Sequence, residues 1–169
     1  EFDCPMTVIS IAEAISEGLA RNVCAGLQNG EVVDLRTEIA EDCELTLLTF
    51  DDEEGRGAFR HTAAHILAQA VKRLYPETKL AIGPSIADGF YYDFDRPEPF
   101  TPEDLEALEA EMKKIVKENL KLERFTLPRA EAIALMKEKD EPYKVELIED
   151  LPEDSELSFY RQGEYVDLC

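Results

Sequence analysis

The sequence predicts an α+β fold built as two consecutive units, each combining helices with a small, mainly antiparallel sheet. Three observations lead to this prediction. The pair Asn29-Gly30 lies between short apolar runs, which indicates a hairpin; a long helical pattern starts near Arg60; and strand-like and helical stretches alternate from there to Cys169. With 169 residues and 44% hydrophobic content, the chain is large enough for two small domains.

The first unit, residues 1–56, is expected to be a small sheet that holds one helix. Residues 7–15 form an apolar helical stretch that should stop near Gly18. Two strands flank Asn29-Gly30, and residues 44–50 read as a further strand. The acidic, glycine-bearing residues 51–57 are expected to be a linker to the second unit, residues 57–169.

The second unit opens with the helix predicted over residues 60–75, which Tyr75-Pro76 ends. Thr101-Pro102 starts another helix, since a hydroxyl can cap it and proline suits its first position. The remaining expected elements are strands at 79–84, 90–95, 123–127, 143–148, 157–161 and 164–168 and a helix at 128–139.

Charge and cysteine usage limit the functional classes. Eighteen basic and 38 acidic residues give a net charge of −20, which repels nucleic acid at long range, so the chain taken alone is no strong nucleic-acid binder. The four cysteines are irregularly spaced and no signal sequence leads the chain, so we expect no disulfide framework and a cytoplasmic protein. No apolar run is long enough to span a membrane. Both ends look cut, which indicates a piece of a longer protein.

Both histidines of the chain, His61 and His65, lie four residues apart on the first helix of the second unit, so their imidazoles share one face. Thr62 follows His61, so the general base of the HExxH metalloprotease motif is absent. The pair could hold zinc with Cys169 as a third ligand, or serve a hydrolytic site in which an imidazole takes a proton from water. Two exposed or capped histidines without chemistry are equally compatible with this spacing.

Five motifs in order resemble the N-terminal region of bacterial threonyl-tRNA synthetases, and the likeness covers nearly the whole chain. They are His61-Thr62-Ala63-Ala64-His65, Ala81-Ile82-Gly83-Pro84, Asp88-Gly89-Phe90-Tyr91-Tyr92-Asp93, Tyr143-Lys144-Val145 and Tyr165-Val166-Asp167-Leu168-Cys169. The resemblance implies that residues 1–56 are a β-grasp module of the TGS type. It implies that residues 57–169 are an editing domain, which hydrolyses tRNA(Thr) wrongly charged with serine.

The resemblance also assigns residues to the site. It implies that His61 and Lys144 are catalytic, Lys144 by activating or orienting the attacking water. It implies that the substrate is bound by His65, Gly83, Tyr92, Asp167 and Cys169. No metal is expected, although His61, His65 and Cys169 are the candidate ligands if one binds.

The resemblance has consequences for cofactors and partners. ATP and zinc belong to the catalytic core of the family, which lies outside this chain, so no cofactor is expected here. The expected partners are the acceptor end of tRNA(Thr) carrying serine and the rest of the synthetase chain, with a homodimeric intact enzyme and no membrane. The family pattern continues to a further histidine four positions beyond the cysteine, and a TGS domain usually begins with a strand before a segment like Glu1-Phe2.

Two alternatives stay open. The related alanyl-type editing module uses a similar histidine and cysteine set to bind zinc. A non-catalytic module is the other alternative, in which the TGS-like part binds RNA or a regulatory ligand.

Overall fold

A computed structural model of the chain describes residues 4–169 and confirms the α+β class. The expected strand beside Glu1-Phe2 lies outside the described residues. The chain divides into two compact units, one of residues 1–62 with 85–89 and the other of residues 63–84 with 90–169. Within the described residues, none of the four cysteines forms a disulfide.

The first unit contains a three-stranded antiparallel sheet and two short helices. Its elements are β1 (Met6–Thr7), α1 (Val8–Ile15), α2 (Glu17–Asn22), β2 (Val23–Gln28), β3 (Glu31–Val33), β4 (Glu38–Ile39) and β5 (Leu45–Thr49). The sheet has the order β3-β2-β5, and β1 pairs separately with β4. The predicted hairpin is confirmed, because Asn29 and Gly30 join β2 to β3 with positive φ angles of 50° and 88°. Both central positions of a type I′ turn need such angles.

A 22-residue helix, α3 (Glu53–Leu74), follows β5, and the prediction of a linker over residues 51–57 was wrong beyond the turn at Asp52. Glu53 and Glu54 occupy the first turn of α3, where acidic side chains favour a helix N-terminus. Gly55 is needed because a Cβ there would lie 1.9 Å from the Thr49 carbonyl oxygen. The acidic, glycine-bearing stretch is therefore a helix start. The boundary between the two units falls inside α3, which continues through it unbroken.

The second unit packs helices against a three-stranded antiparallel sheet of order β10-β11-β12. The elements that follow α3 in the chain are β6 (Lys79–Leu80), β7 (Ser85–Ile86), β8 (Gly89–Phe90), β9 (Phe94–Asp95), α4 (Pro102–Glu118), β10 (Leu122–Leu127), α5 (Arg129–Glu138), α6 (Pro142–Asp150), β11 (Leu157–Gln162) and β12 (Tyr165–Leu168). Of these, β7 belongs to the first unit. One core cluster consists of Ala132, Met136, Val145, Ile148, Leu157 and Phe159. It joins α5 and α6 to the sheet.

The strand predicted over residues 143–148 was wrong, because this stretch lies in α6. Pro142 stands in the first turn, where its fixed φ angle suits a helix and its missing N–H costs nothing. The buried residues Lys144, Val145 and Ile148 follow helical spacing, so one face of α6 meets the core. This short stretch of mixed apolar and charged residues resembled a strand, but packing against the core favours a helix.

The cap predicted at Thr101 is confirmed as the start of α4. The Thr101 side chain accepts from the Asp104 backbone N–H, and the Asp104 carboxylate accepts from the Thr101 backbone N–H. This reciprocal pair is a capping box. Among residues 4–169, no helix is long and apolar enough to cross a membrane.

Candidate functional site

A buried carboxylate, Asp167 on β12, stands at the centre of the polar side chains that the second unit gathers. The residue is 1% exposed. Oδ2 accepts hydrogen bonds from the Tyr92 hydroxyl at 2.7 Å, the Tyr165 hydroxyl at 2.8 Å and His65 Nδ1 at 3.0 Å. Oδ1 pairs with Lys144 Nζ at 2.9 Å. Four side chains thus saturate one carboxylate, and we call these five residues the Asp167 cluster.

Separate elements bring the members of the Asp167 cluster together. Tyr165 and Asp167 point to the same side of β12, since side chains alternate along a strand. His65 comes from α3 and Lys144 from α6, while Tyr92 lies between β8 and β9. His65 and Asp167 are 102 residues apart in sequence, so the cluster exists only in the folded chain.

Tyr92 is held by Gly83 on one side and by Lys144 on the other. A Cβ added at Gly83 would lie 2.1 Å from Tyr92 Cδ2, so only glycine lets the ring lie against the backbone there. Lys144 Nζ donates to the Tyr92 hydroxyl at 3.0 Å, and that hydroxyl in turn donates to Asp167. Gly83, Tyr92 and Lys144 therefore lie against one another at one side of the cluster.

The charges of the cluster stabilise one another. Burial by itself would raise the pKa of Asp167, but the hydrogen bond from His65 and the charge of Lys144 outweigh it and hold that pKa well below its usual range. Burial lowers the pKa of His65, yet its hydrogen bonds with Asp167 and Cys169 raise the pKa overall to about 9. This raised pKa favours the protonated imidazole at neutral pH, a form in which both ring nitrogens are donors.

His61 lies one helical turn before His65 on α3 and is partly exposed. One potential ligand atom from each of His61, His65 and Cys169 lies within 4.8 Å of the others. These are the residues that could hold a metal ion. His65 donates its Nδ1–H to Asp167, so Nε2 is the atom that would bind an ion, an arrangement common among metal-binding histidines.

All seven site residues named from sequence therefore have a place near the cluster. His65, Gly83, Tyr92, Lys144 and Asp167 lie in or against the Asp167 cluster, and His61 and Cys169 form the potential ligand group with His65.

Sequence reasoning did not single out Tyr165, although it stands two residues before Asp167 and strand alternation gives it the same face. It also gave no role to Glu141, a carboxylate that is only 4% exposed. No local pattern marks that residue, because its partners come from distant parts of the chain.

Comparisons with known proteins identify sequences similar to this chain. Residues 1–49 match the TGS domain family. The threonine–tRNA ligase of Acetivibrio thermocellus is 64% identical over all 169 residues, and those of Clostridium botulinum strain Eklund 17B and Clostridioides difficile are each 63% identical. The chain spans only 26–27% of the length of these three relatives. Over its whole length the chain is similar to part of the bacterial threonine–tRNA ligases, and its residues 1–49 are similar to TGS domains.

Proposed function

We propose that this chain is the TGS and editing region of a threonine–tRNA ligase, and that residues 57–169 hydrolyse the ester of tRNA(Thr) mischarged with serine. The observation that carries the proposal is the Asp167 cluster, a buried carboxylate held by two cations and two phenols. Its members include residues that the family resemblance assigns to editing. The ATP-dependent ligation of threonine, and the zinc that belongs to it, are assigned to parts of the intact enzyme outside this chain.

Ester hydrolysis needs a nucleophilic water and stabilisation of the negative charge that develops on the carbonyl oxygen. Lys144 and the imidazolium of His65 carry two positive charges against the single charge of Asp167. The cluster thus retains one net positive charge in a water-poor environment, where electrostatic stabilisation is strongest. We assign to Lys144 the stabilisation of the developing oxyanion and the orientation of the water.

The water also needs a group that accepts its proton. His65 is unsuited because its hydrogen bond with Asp167 keeps it protonated. The task then falls to His61, one turn away on α3, together with the ribose hydroxyl next to the ester. Asp167 keeps the two cations in place, and Gly83 and Tyr92 shape the pocket wall.

Discrimination energies explain why such a site is needed. A synthetic site that accepts threonine cannot exclude the smaller serine by size, and one methyl group is worth only about 1–3 kcal/mol. A second site with room for serine and a clash with the extra methyl group removes the error. The net charge of −20 is unfavourable for tRNA, so we assign most tRNA binding to the rest of the synthetase, in a cytoplasmic homodimer.

The test is the rate at which this chain releases serine from seryl-tRNA(Thr), with threonyl-tRNA(Thr) as the counter-substrate. We expect serine to be released faster than threonine, and His61→Ala to abolish the release without changing the fold. Lys113→Ala is the matched control, since Lys113 is exposed on α4 and pairs only with Glu109 among the described residues. Unaltered hydrolysis in the His61→Ala variant would remove His61 from the mechanism, and equal release of both amino acids would contradict editing.

A zinc-dependent editing site of the alanyl type is the second candidate, and the proximity of His61, His65 and Cys169 favours it. The match of residues 1–49 to the TGS domain family favours the metal-free threonyl type instead. Elemental analysis of the purified chain separates the two. We expect no stoichiometric zinc and no loss of serine release on treatment with a chelator. One zinc ion per chain, with loss of activity on its removal, would support the alternative.

A further inference from the structure

Glu141 is a buried carboxylate that the proposed chemistry does not use. It is 4% exposed and stands immediately before α6. Its side chain makes no cap hydrogen bond to α6 within the described part of the chain and turns to other elements instead. Oε2 accepts from the Leu80 backbone N–H at 2.8 Å, and Oε1 pairs with Lys72 Nζ at 2.7 Å. Burying a carboxylate is costly unless it is paired, so these contacts fix its position.

Lys72 extends the connection to a second segment. Its ammonium group also donates to the carbonyl oxygens of Pro76 and Thr78, both at 3.0 Å. The three protons of the ammonium group therefore have three acceptors. Through Glu141 and Lys72, the end of α3, the segment before β6 and the start of α6 meet at one ion pair, whose carboxylate is buried and whose ammonium side chain is 23% exposed.

Two of the joined segments carry members of the Asp167 cluster. Lys144 lies on α6, three residues after Glu141. Leu80 lies three residues before Gly83, and the chain between them is bonded to the segment that follows Tyr92, because the Ala81 N–H donates to Asp93 at 3.0 Å and the Asp93 N–H to Ile82 at 2.8 Å. Glu141 thus links the start of α6, which carries Lys144, to the segment that carries Gly83 and is bonded to the backbone next to Tyr92.

We propose that Glu141 is a positioning residue, which sets the distance between Lys144 and Tyr92 through its bonds to Leu80 and Lys72. The inference rests on the proposed function, because Lys144 and Tyr92 belong to the proposed site. Lys144 Nζ contacts both the Tyr92 hydroxyl and Asp167 at 2.9–3.0 Å, so a small shift of α6 breaks both contacts. Displacements of about 1 Å can cost on the order of 100-fold in rate.

The first measurement reports on Lys144 without requiring catalysis. In the ¹⁵N-labelled chain, a lysine ammonium group that is buried and hydrogen-bonded exchanges its protons slowly with water and gives a resolved NMR signal. The signal that disappears in the Lys144→Arg variant is the signal of Lys144. We expect this signal to be lost or shifted toward those of exposed lysines in Glu141→Ala. We expect a smaller shift in Glu141→Gln, which keeps an acceptor for Leu80 and loses the charge that pairs with Lys72.

The matched control is Asp140→Asn. Asp140 is the neighbouring residue, and its carboxylate pairs with Lys79, but it is exposed and contacts neither Leu80 nor Lys72 in the described structure. We expect this control to leave the Lys144 signal unchanged. An unchanged signal in both Glu141 variants, with only a lower unfolding temperature, would overturn the proposal and leave Glu141 a structural residue.

Serine release provides the second measurement. We expect Glu141→Gln to lower kcat on the order of tenfold with KM little changed, because it disturbs the orientation of Lys144. In a chain that already carries Lys144→Met, Glu141→Gln should lower kcat almost no further. A further loss of the full tenfold in that chain would overturn the proposal. If the unmodified chain releases no serine, the proposed function fails, and the Lys144 signal still decides whether Glu141 positions that residue.

Discussion

The Asp167 cluster and the contacts of Arg73 form two ionic clusters on the same helix with opposite designs. Asp167 is a buried anion that takes four donors, one of them from His65 on α3. Arg73 is a cation two turns further along α3, and it contacts three carboxylates, Glu111 at 3.3 Å and Glu118 and Glu164 at 2.7 Å each.

The difference between the clusters is burial. The side chains of Asp167 and Lys144 are 2% and 5% exposed, whereas those of Arg73 and Glu164 are 23% and 61% exposed. Water screens the Arg73 contacts and replaces any that are lost, so each is worth about 1 kcal/mol or less. A buried charge whose partner is removed has no such replacement. The two clusters contain similar numbers of contacts, but losing a contact should therefore reduce stability much more in the Asp167 cluster than at Arg73.

The largest effect is expected for Asp167→Asn. The change leaves Lys144 as a buried cation without a counter-charge, and the amide oxygen cannot accept from four donors. Removing one partner of a buried ion pair costs about 3–5 kcal/mol, so we expect a loss of this size in the free energy of unfolding, measured in urea. Serine release should fall below detection. A variant with unchanged stability would show that the cluster is solvated, and it would contradict the proposed difference in burial between this cluster and the contacts of Arg73.

The next effect is a dependence of stability on pH that comes from His65. Its pKa rises from 6.5 to about 9 on folding, because the hydrogen bonds with Asp167 and Cys169 outweigh burial. A raised pKa stabilises the fold fully below pH 6.5, and the contribution is lost as pH rises to about 9. A difference of about 2.5 units corresponds to about 3 kcal/mol. We expect the free energy of unfolding to fall by this amount over that range.

His65→Gln should remove this decrease, since a neutral amide has no proton to lose. Direct titration of the His65 ring by NMR gives the second check. A midpoint near pH 6.5 would show that the hydrogen bonds with Asp167 and Cys169 do not outweigh burial.

The sequence predicted the elements whose signals are local. The turn at Asn29-Gly30 and the cap at Thr101 depend on a few adjacent residues, and both are where the sequence places them. The strand predicted over residues 143–148 failed because six residues are too few to separate a strand from a helix whose buried face is set by distant partners. The linker over residues 51–57 failed because acidic residues and glycine also suit the first turn of a helix.

The site was predictable only in part from the residues themselves. The spacing of His61 and His65 indicated a pair on one helix face, but the partners of His65 could not be inferred from periodicity. Lys144 and Asp167 were named through the family resemblance, and neither has a local pattern that reveals its ion pair. Contacts such as that between Glu141 and Leu80 join residues 61 positions apart, which only the folded chain brings together.

A smaller effect is expected for Gly83→Ala, which acts on the Asp167 cluster through shape. The added Cβ would meet the Tyr92 ring at 2.1 Å, so the ring must move away from the backbone. Overpacking of this kind costs about 1–3 kcal/mol, and the displaced hydroxyl loses its bonds to Asp167 and Lys144. Gly89→Ala is the control, because a Cβ there meets nothing within 4 Å. Equal stability and serine release in both variants would show that Tyr92 can move without cost.

The smallest effect is expected for Arg73→Met, which removes the cation from the exposed cluster and keeps most of the aliphatic side chain. Glu118 and Glu164 are 40% and 61% exposed and regain water, while Glu111, 11% exposed, keeps its contact with Lys114 at 2.9 Å. We therefore expect a loss of about 1 kcal/mol in the free energy of unfolding, smaller still in high salt, and unchanged serine release. A loss as large as that of Asp167→Asn would mean that the number of contacts, and not their burial, determines how much such clusters contribute to the free energy of unfolding.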